Sequence, residues 1–164
     1  MSDQRMDATY TFDSNSEADT DLAGRRLADA LLPGLTVALD GQLGSGKTCL
    51  VRSVCRGLGA DASRVNSPTF VLMQTYADGR LPVFHFDTYR LGGVDEFLAI
   101  GAEEYLLDPD IVCFVEWAER VEPVLPADRL TIAIEQTGET SRRFVFRASG
   151  DHSATVLRRL RLAE

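Results

Sequence analysis

Ile111-Val112-Cys113-Phe114-Val115 is a continuous apolar run of strand length, as expected of a central strand buried on both faces, and a second apolar run, Thr36-Val37-Ala38-Leu39, predicts a strand over 36–40. Leu22, Ala23, Leu27, Ala30 and Leu31 recur at helical spacing and predict a helix over 15–31, opened by a Ser14/Glu17 capping box and stopped by Pro33-Gly34. Leu50, Val51, Val54 and Leu58 give a second apolar face over 49–58, with Gly57 and Gly59 at its end. A weak alternation over 8–12 suits a short edge strand. The β-rich runs 70–76 and 81–87 flank Ala77-Asp78-Gly79-Arg80, whose Asp-Gly pair predicts a hairpin.

Residues 94–107 read as one or two short helices broken near Gly101. A second hairpin is expected from 130–135 and 144–148 around Thr137-Gly138-Glu139. A closing helix over 152–162 turns Val156, Leu157 and Leu160 inward and leaves Arg158, Arg159 and Arg161 as a solvated face. Strands alternating with helices, plus two hairpins, predict an α/β fold with a mixed parallel and antiparallel sheet flanked by helices. The 164 residues are about one domain's worth, and the polar first seven are expected to be disordered.

Acidic residues outnumber basic ones 25 to 17, for a net charge of −8, which argues against a broad surface for nucleic-acid backbone and makes any RNA connection indirect. Cys49, Cys55 and Cys113 show no metal-binding spacing and read as reduced thiols of a cytoplasmic protein. No apolar run approaches membrane-spanning length, and the N-terminus carries no apolar signal core.

Candidate chemistry concentrates at Gly41-Gln42-Leu43-Gly44-Ser45-Gly46-Lys47-Thr48, which has the form GxxxxGK(S/T) between a predicted strand and a predicted helix. Glycines there let successive amides turn toward an anion, and the helix adds its positive dipole end. Lys47 is placed to neutralise β- and γ-phosphate charge, and the Thr48 hydroxyl to bind Mg2+. Glu116 ends the apolar run at 111–115 and is the expected second Mg2+ partner, direct or through water. Asp87 lies just past a strand end, where open α/β sheets place their chemistry. The loop Asn66-Ser67-Pro68-Thr69 is a candidate switch segment. No Asn-Lys-x-Asp string reads guanine, so adenine is the better expectation.

Four strings together, Gly41–Thr48, Ser67-Pro-Thr-Phe70, His85-Phe-Asp-Thr-Tyr-Arg90 and Glu116-Trp-Ala-Glu-Arg120, resemble the TsaE (YjeE) family, the ATPase component of bacterial tRNA threonylcarbamoyladenosine synthesis. The resemblance implies a phosphate-loop fold binding ATP through Gly41, Gln42, Leu43, Gly44, Ser45, Gly46, Lys47, Thr48 and Cys49, with Glu17, Thr20 and Trp117 near the nucleotide. It further implies Mg2+ held by Thr48 and Glu116, catalysis by Lys47, Asp87 and Glu116, and switch-like segments at 67–70 and 87–90. Partners would be TsaD and TsaB, which carry out the transfer to adenosine 37. Rival readings are a small-metabolite or nucleoside kinase, disfavoured because residues 91–110 contain no arginine for a lid, and a non-catalytic nucleotide sensor.

Overall fold

The computed structural model describes residues 9–66, 68 and 72–162. The expected disorder of the first seven residues lies outside them, as do Ser67, Thr69 and Phe70 of the candidate switch. A seven-stranded sheet is formed by β1 (Thr9–Ser14), β2 (Leu35–Asp40), β3 (Met73–Tyr76), β4 (Val83–Asp87), β5 (Val112–Glu116), β6 (Leu130–Gln136) and β7 (Arg142–Ala148), in the order β1-β7-β6-β2-β5-β4-β3. The central strands run parallel, β2 with β5 and β6, and β4 with β5. The hairpins β3–β4 and β6–β7, and the edge pair β1–β7, are antiparallel. The sheet is therefore mixed, as its sequence pattern predicts.

Helices α1 (Glu17–Ala30), α2 (Lys47–Gly57) and α5 (Asp151–Leu162) cover one face, and the short α3 (Val94–Ala99) and α4 (Ala102–Leu106) cover part of the other. Side chains alternate across a strand, so Val37, Leu39, Val112 and Phe114 pack toward α1 and α2 while Ala38, Cys113 and Val115 pack toward α3 and α4. All five residues of β5 are buried, which is why its sequence is continuously apolar until Glu116. The alternation also places His85 and Asp87 of β4, and Glu116 of β5, on the α2 side. Because β2, β4 and β5 are parallel, Asp40, Asp87 and Glu116 all end at the same edge of the sheet.

Two local expectations change, and one unassigned stretch gains a structure. Ser14 is not the cap of α1: β1 runs through it, paired with Arg142, so the chain is still extended there. Ser16 caps instead, accepting from Asp19 N at 3.1 Å, while Asn15 N donates to Asp19 Oδ2. Residues 118–124, unassigned from sequence, form 3₁₀ turns around Pro123. The C-terminal arginines are only partly a solvated face: Arg159 donates from Nε to Ala30 O and from Nη2 to Asp29 O, both at 3.0 Å, satisfying the carbonyl end of α1, and Arg161 reaches Thr9 O. Helix α2 ends as expected, in a Schellman pair from Gly59 N to Arg56 O and Ala60 N to Cys55 O.

Candidate functional site

The loop from Gly41 to Gly46 joins β2 to α2 and wraps around the side chain of Lys47. Gly46 stands at the helix start with φ +110°, a left-handed conformation that favours glycine, and α2 begins at the next residue. Gly41 is required for closeness: a Cβ there would lie 2.6 Å from Ser45 Oγ and 2.8 Å from Ile134 O. Lys47 is 5% exposed, and its Nζ donates to Gly41 O at 2.6 Å and Gln42 O at 2.9 Å. Burial pulls this ammonium below the usual lysine range, and the carboxylates of Glu116, Glu119, Asp87 and Asp40 act against that pull. The Ser45 hydroxyl is buried with no partner among the described residues.

Thr48, on the first turn of α2, donates toward both oxygens of Glu116, each at 3.1 Å. Glu116 is 3% exposed, and its Oε2 lies 2.6 Å from His85 Nε2. Asp87 sits directly opposite Glu116 in the parallel ladder, is 2% exposed, and accepts from Tyr89 N through Oδ1 at 2.9 Å. Thr88 fixes the turn after β4 to β5, its Oγ1 within 3.0 Å of Glu116 O and 2.7 Å of Trp117 O. Lys47, Thr48, Asp87 and Glu116, separated by up to 69 positions in the chain, thus meet at one sheet edge. Among the described residues no three His, Cys, Asp or Glu side chains form a metal cluster. The Thr48 hydroxyl and the Glu116 carboxylate are hard oxygen donors of the kind that Mg2+ takes together with water and phosphate.

Trp117 follows Glu116 in a left-handed conformation, φ 58°, which costs a non-glycine residue about 1–2 kcal/mol. Its ring lies 4.1 Å from Lys47 Nζ and packs on Tyr89, with centroids 4.9 Å apart. The strain is offset by these contacts and by the bond from Thr88. On the other side of the loop a cleft of about 730 Å³ opens between α1, α2 and the start of β7, lined by Glu17, Thr20, Ser45, Gly46, Cys49 and Arg142 among others. Glu17, Thr20 and Cys49 are therefore brought together with the loop, whereas Trp117 lies on the Lys47 side. Gln42 and Leu43 border a smaller pocket against the end of β6, with Leu43 78% exposed.

Sequence reading missed three contributors. Arg142 reaches from β7 to donate from Nε to Ser45 O at 2.9 Å, a contact set by strand register and invisible in any local string. His85, which the sequence marks only as the first residue of the 85–90 string, contacts the Glu116 carboxylate. Asp40 was legible by the same rule as Asp87, a carboxylate at a strand tip. Its carboxyl is pushed up to about 7, by burial first and then by its hydrogen bond and proximity to Glu119. The folded chain then holds a proton that the unfolded chain releases between pH ~4 and ~7, so the stability of the fold declines as pH rises through that window. Asp40→Asn should flatten this dependence and exceed the native chain in stability at pH 8, a difference readable from urea melts at pH 5 and 8. A native chain equally stable at both would overturn the assignment.

These features meet known proteins at the same elements. The family model described as "Threonylcarbamoyl adenosine biosynthesis protein TsaE" matches residues 14–144, from the end of β1 into β7. The protein called tRNA threonylcarbamoyladenosine biosynthesis protein TsaE in Bacillus subtilis is 42% identical over 119 residues, 73% of this chain and 73% of its own length. Those of the same name in Streptomyces coelicolor and Treponema pallidum are 40% identical over 141 residues and 39% over 129, covering 81% and 79% of this chain and 93% of each relative. The crystal structure of Bacillus subtilis YdiB superposes with a TM-score of 0.77 at 30% identity, covering 94% of this chain and 95% of that one. The glycine loop at 41–48, the Asp87 and Glu116 strand tips and strands β2 to β6 all fall within the matched span, and the chain belongs to the TsaE family.

Proposed function

We propose that the chain binds Mg-ATP on residues 41–48, hydrolyses it slowly, and through that cycle serves threonylcarbamoylation of adenosine 37 in tRNAs reading codons that begin with A, acting on a TsaB–TsaD pair. The observation that carries the nucleotide reading is the convergence of Lys47, Thr48 and Glu116 at the mouth of a glycine loop opening a helix. The relatives' names support the pathway.

The residues fit a magnesium-bound nucleotide on their own chemistry. Glu116, Glu119 and Asp87 bear on one buried ammonium, with the Asp40 carboxyl sharing its proton-holding pair with Glu119 beside them, and this acidic setting is one that a bare polyphosphate would meet unfavourably. Magnesium would supply neutralising charge to a bound polyphosphate here. Thr48 Oγ1 and Glu116 are the protein groups that would hold it. Lys47 has its ammonium bonded only to loop carbonyls among the described residues, so it can exchange those for phosphate oxygens without losing partners elsewhere. Asp87, fixed by Tyr89 N, is the carboxylate we assign to orienting water. Gly41, Gln42, Leu43, Gly44, Ser45 and Gly46 present backbone amides, and Glu17, Thr20 and Cys49 line the cleft where a nucleoside would extend. Trp117 covers Lys47 from the opposite side.

Turnover by the isolated chain should be slow. Arg142 is committed to the Ser45 and Ser141 carbonyls and Arg120 lies over Tyr89, while an arginine finger from a partner is worth about 10³–10⁵ in rate. Cys49, Cys55 and Cys113 are free thiols, burial pushing the latter two up to about 12, as suits a reducing cytoplasm. No helix among the described residues is long and apolar enough to cross a membrane. The test is phosphate release from Mg-ATP, alone and with a TsaB–TsaD pair added. Slow release that changes on adding the pair is expected; ATP consumption only when a small-molecule acceptor is supplied would instead indicate a kinase.

A further inference from the structure

His85 is fully buried in β4, at a position where alternation along the strand calls for an apolar side chain facing α2: Val83 two residues earlier packs into that core. Its neighbours across the ladder are Gln74 of β3 and Phe114 of β5, and its ring lies against Tyr76. Nε2 lies 2.6 Å from Glu116 Oε2, so the hydrogen on that nitrogen points at the carboxylate. Nδ1 is buried with no partner among the described residues. An imidazole kept in a core with one nitrogen unpaired gives up stability that a leucine or phenylalanine there would not. The bond it makes is to a residue of the site.

That bond has a geometric consequence. A glutamate side chain turns freely about its terminal torsion, and Thr48 lies equally far from both oxygens, 3.1 Å from each, so Thr48 alone does not choose between them. His85 does, because it approaches Oε2 only. Among the described residues Oε2 then carries two donors and Oε1 carries one, leaving Oε1 with the greater accepting capacity on the Thr48 side of the carboxylate.

We propose that His85 is a positioning residue: its Nε2–H holds the plane of the Glu116 carboxylate so that one oxygen is presented, together with Thr48 Oγ1, to a divalent cation. This rests on the reading of Thr48 and Glu116 as the cation's protein groups. Partners that orient ligating side chains typically govern about 10- to 100-fold in metal affinity. The nucleotide's own contacts to the loop amides and Lys47 lie outside the effect.

The experiment measures binding rather than turnover. ADP affinity is determined in EDTA and across a Mg2+ titration for the native chain, His85→Leu and His85→Gln, with a thermal melt of each. His85→Leu should bind ADP in EDTA as the native chain does, yet need about 10- to 100-fold more Mg2+ for half-maximal enhancement. His85→Gln, whose amide can donate from nearly the same place, should recover most of the loss. Equal Mg2+ requirements in the native chain and His85→Leu would overturn the proposal, as would a His85→Gln variant no better than leucine. If ADP binding by the native chain is indifferent to Mg2+, it is the magnesium reading of Thr48 and Glu116 that fails. Should His85→Leu not fold, the flexible His85→Met removes the same donor and serves the same comparison.

Discussion

Lys47→Ala should reduce phosphate release from Mg-ATP by at least about 10²-fold, the scale on which loss of one preorganised charge-stabilising group acts. The expectation follows from what surrounds this ammonium. Glu116, Glu119, Asp87 and Asp40 all bear on it, and the other cation that touches the loop, Arg142, is committed to the Ser45 and Ser141 carbonyls. Alanine also frees the Gly41 and Gln42 carbonyls that the ammonium now gathers, so the loop loses its organising centre as well as its charge. Lys47→Met keeps much of the packing against Trp117 and removes only the charge, so the two variants separate these contributions. A phosphate-release assay with a thermal melt of each variant is sufficient. Native turnover in either folded variant would remove Lys47 from the mechanism and with it the case for a phosphate loop.

What was legible in the sequence is what depends on short spans. The strand, glycine loop and helix around 36–58 are specified by local residue types, and so are the Asp78-Gly79 hairpin and the break at Gly101, where φ is +82°. The buried run ending in Glu116 announces a central strand because nothing polar interrupts it. Strand order and register are different in kind, since they depend on which distant segments pair. Arg142 enters the site only because β7 lies between β1 and β6, with Arg142 opposite both Ser14 and Gln136. The same pairing keeps Ser14 extended and shifts the cap of α1 to Ser16. His85 gains its contact with the site from β5 lying beside β4, which brings Glu116 within reach. The Asp40–Glu119 pair likewise joins the end of β2 to the turn after β5, two segments whose meeting no local pattern encodes.

Phe114→Ala should lower the stability of the fold by about 3–5 kcal/mol, the range for deleting a fully buried phenylalanine ring. For a chain of this length that corresponds to a fall in melting temperature of about 6–20 °C, at about 2–4 °C per kcal/mol. Phe114 is fully buried in the middle of β5, opposite Val37 of β2 on one side and His85 of β4 on the other. The cavity would therefore open beneath His85 and two residues from Glu116, on the same face of the sheet. If the strand tips are held in register by this packing, the variant loses more than stability: Mg2+ enhancement of ADP binding should weaken too, while binding in EDTA, which depends on the loop and α2, should change less. Saturating Mg-nucleotide should restore part of the melting temperature, because a ligand at 100 times its dissociation constant adds about 2.7 kcal/mol to the native state. A melt unchanged by the substitution would contradict the packing of β5. A melt lowered without any change in Mg2+ dependence would show instead that the site edge holds its geometry independently of the core beneath it.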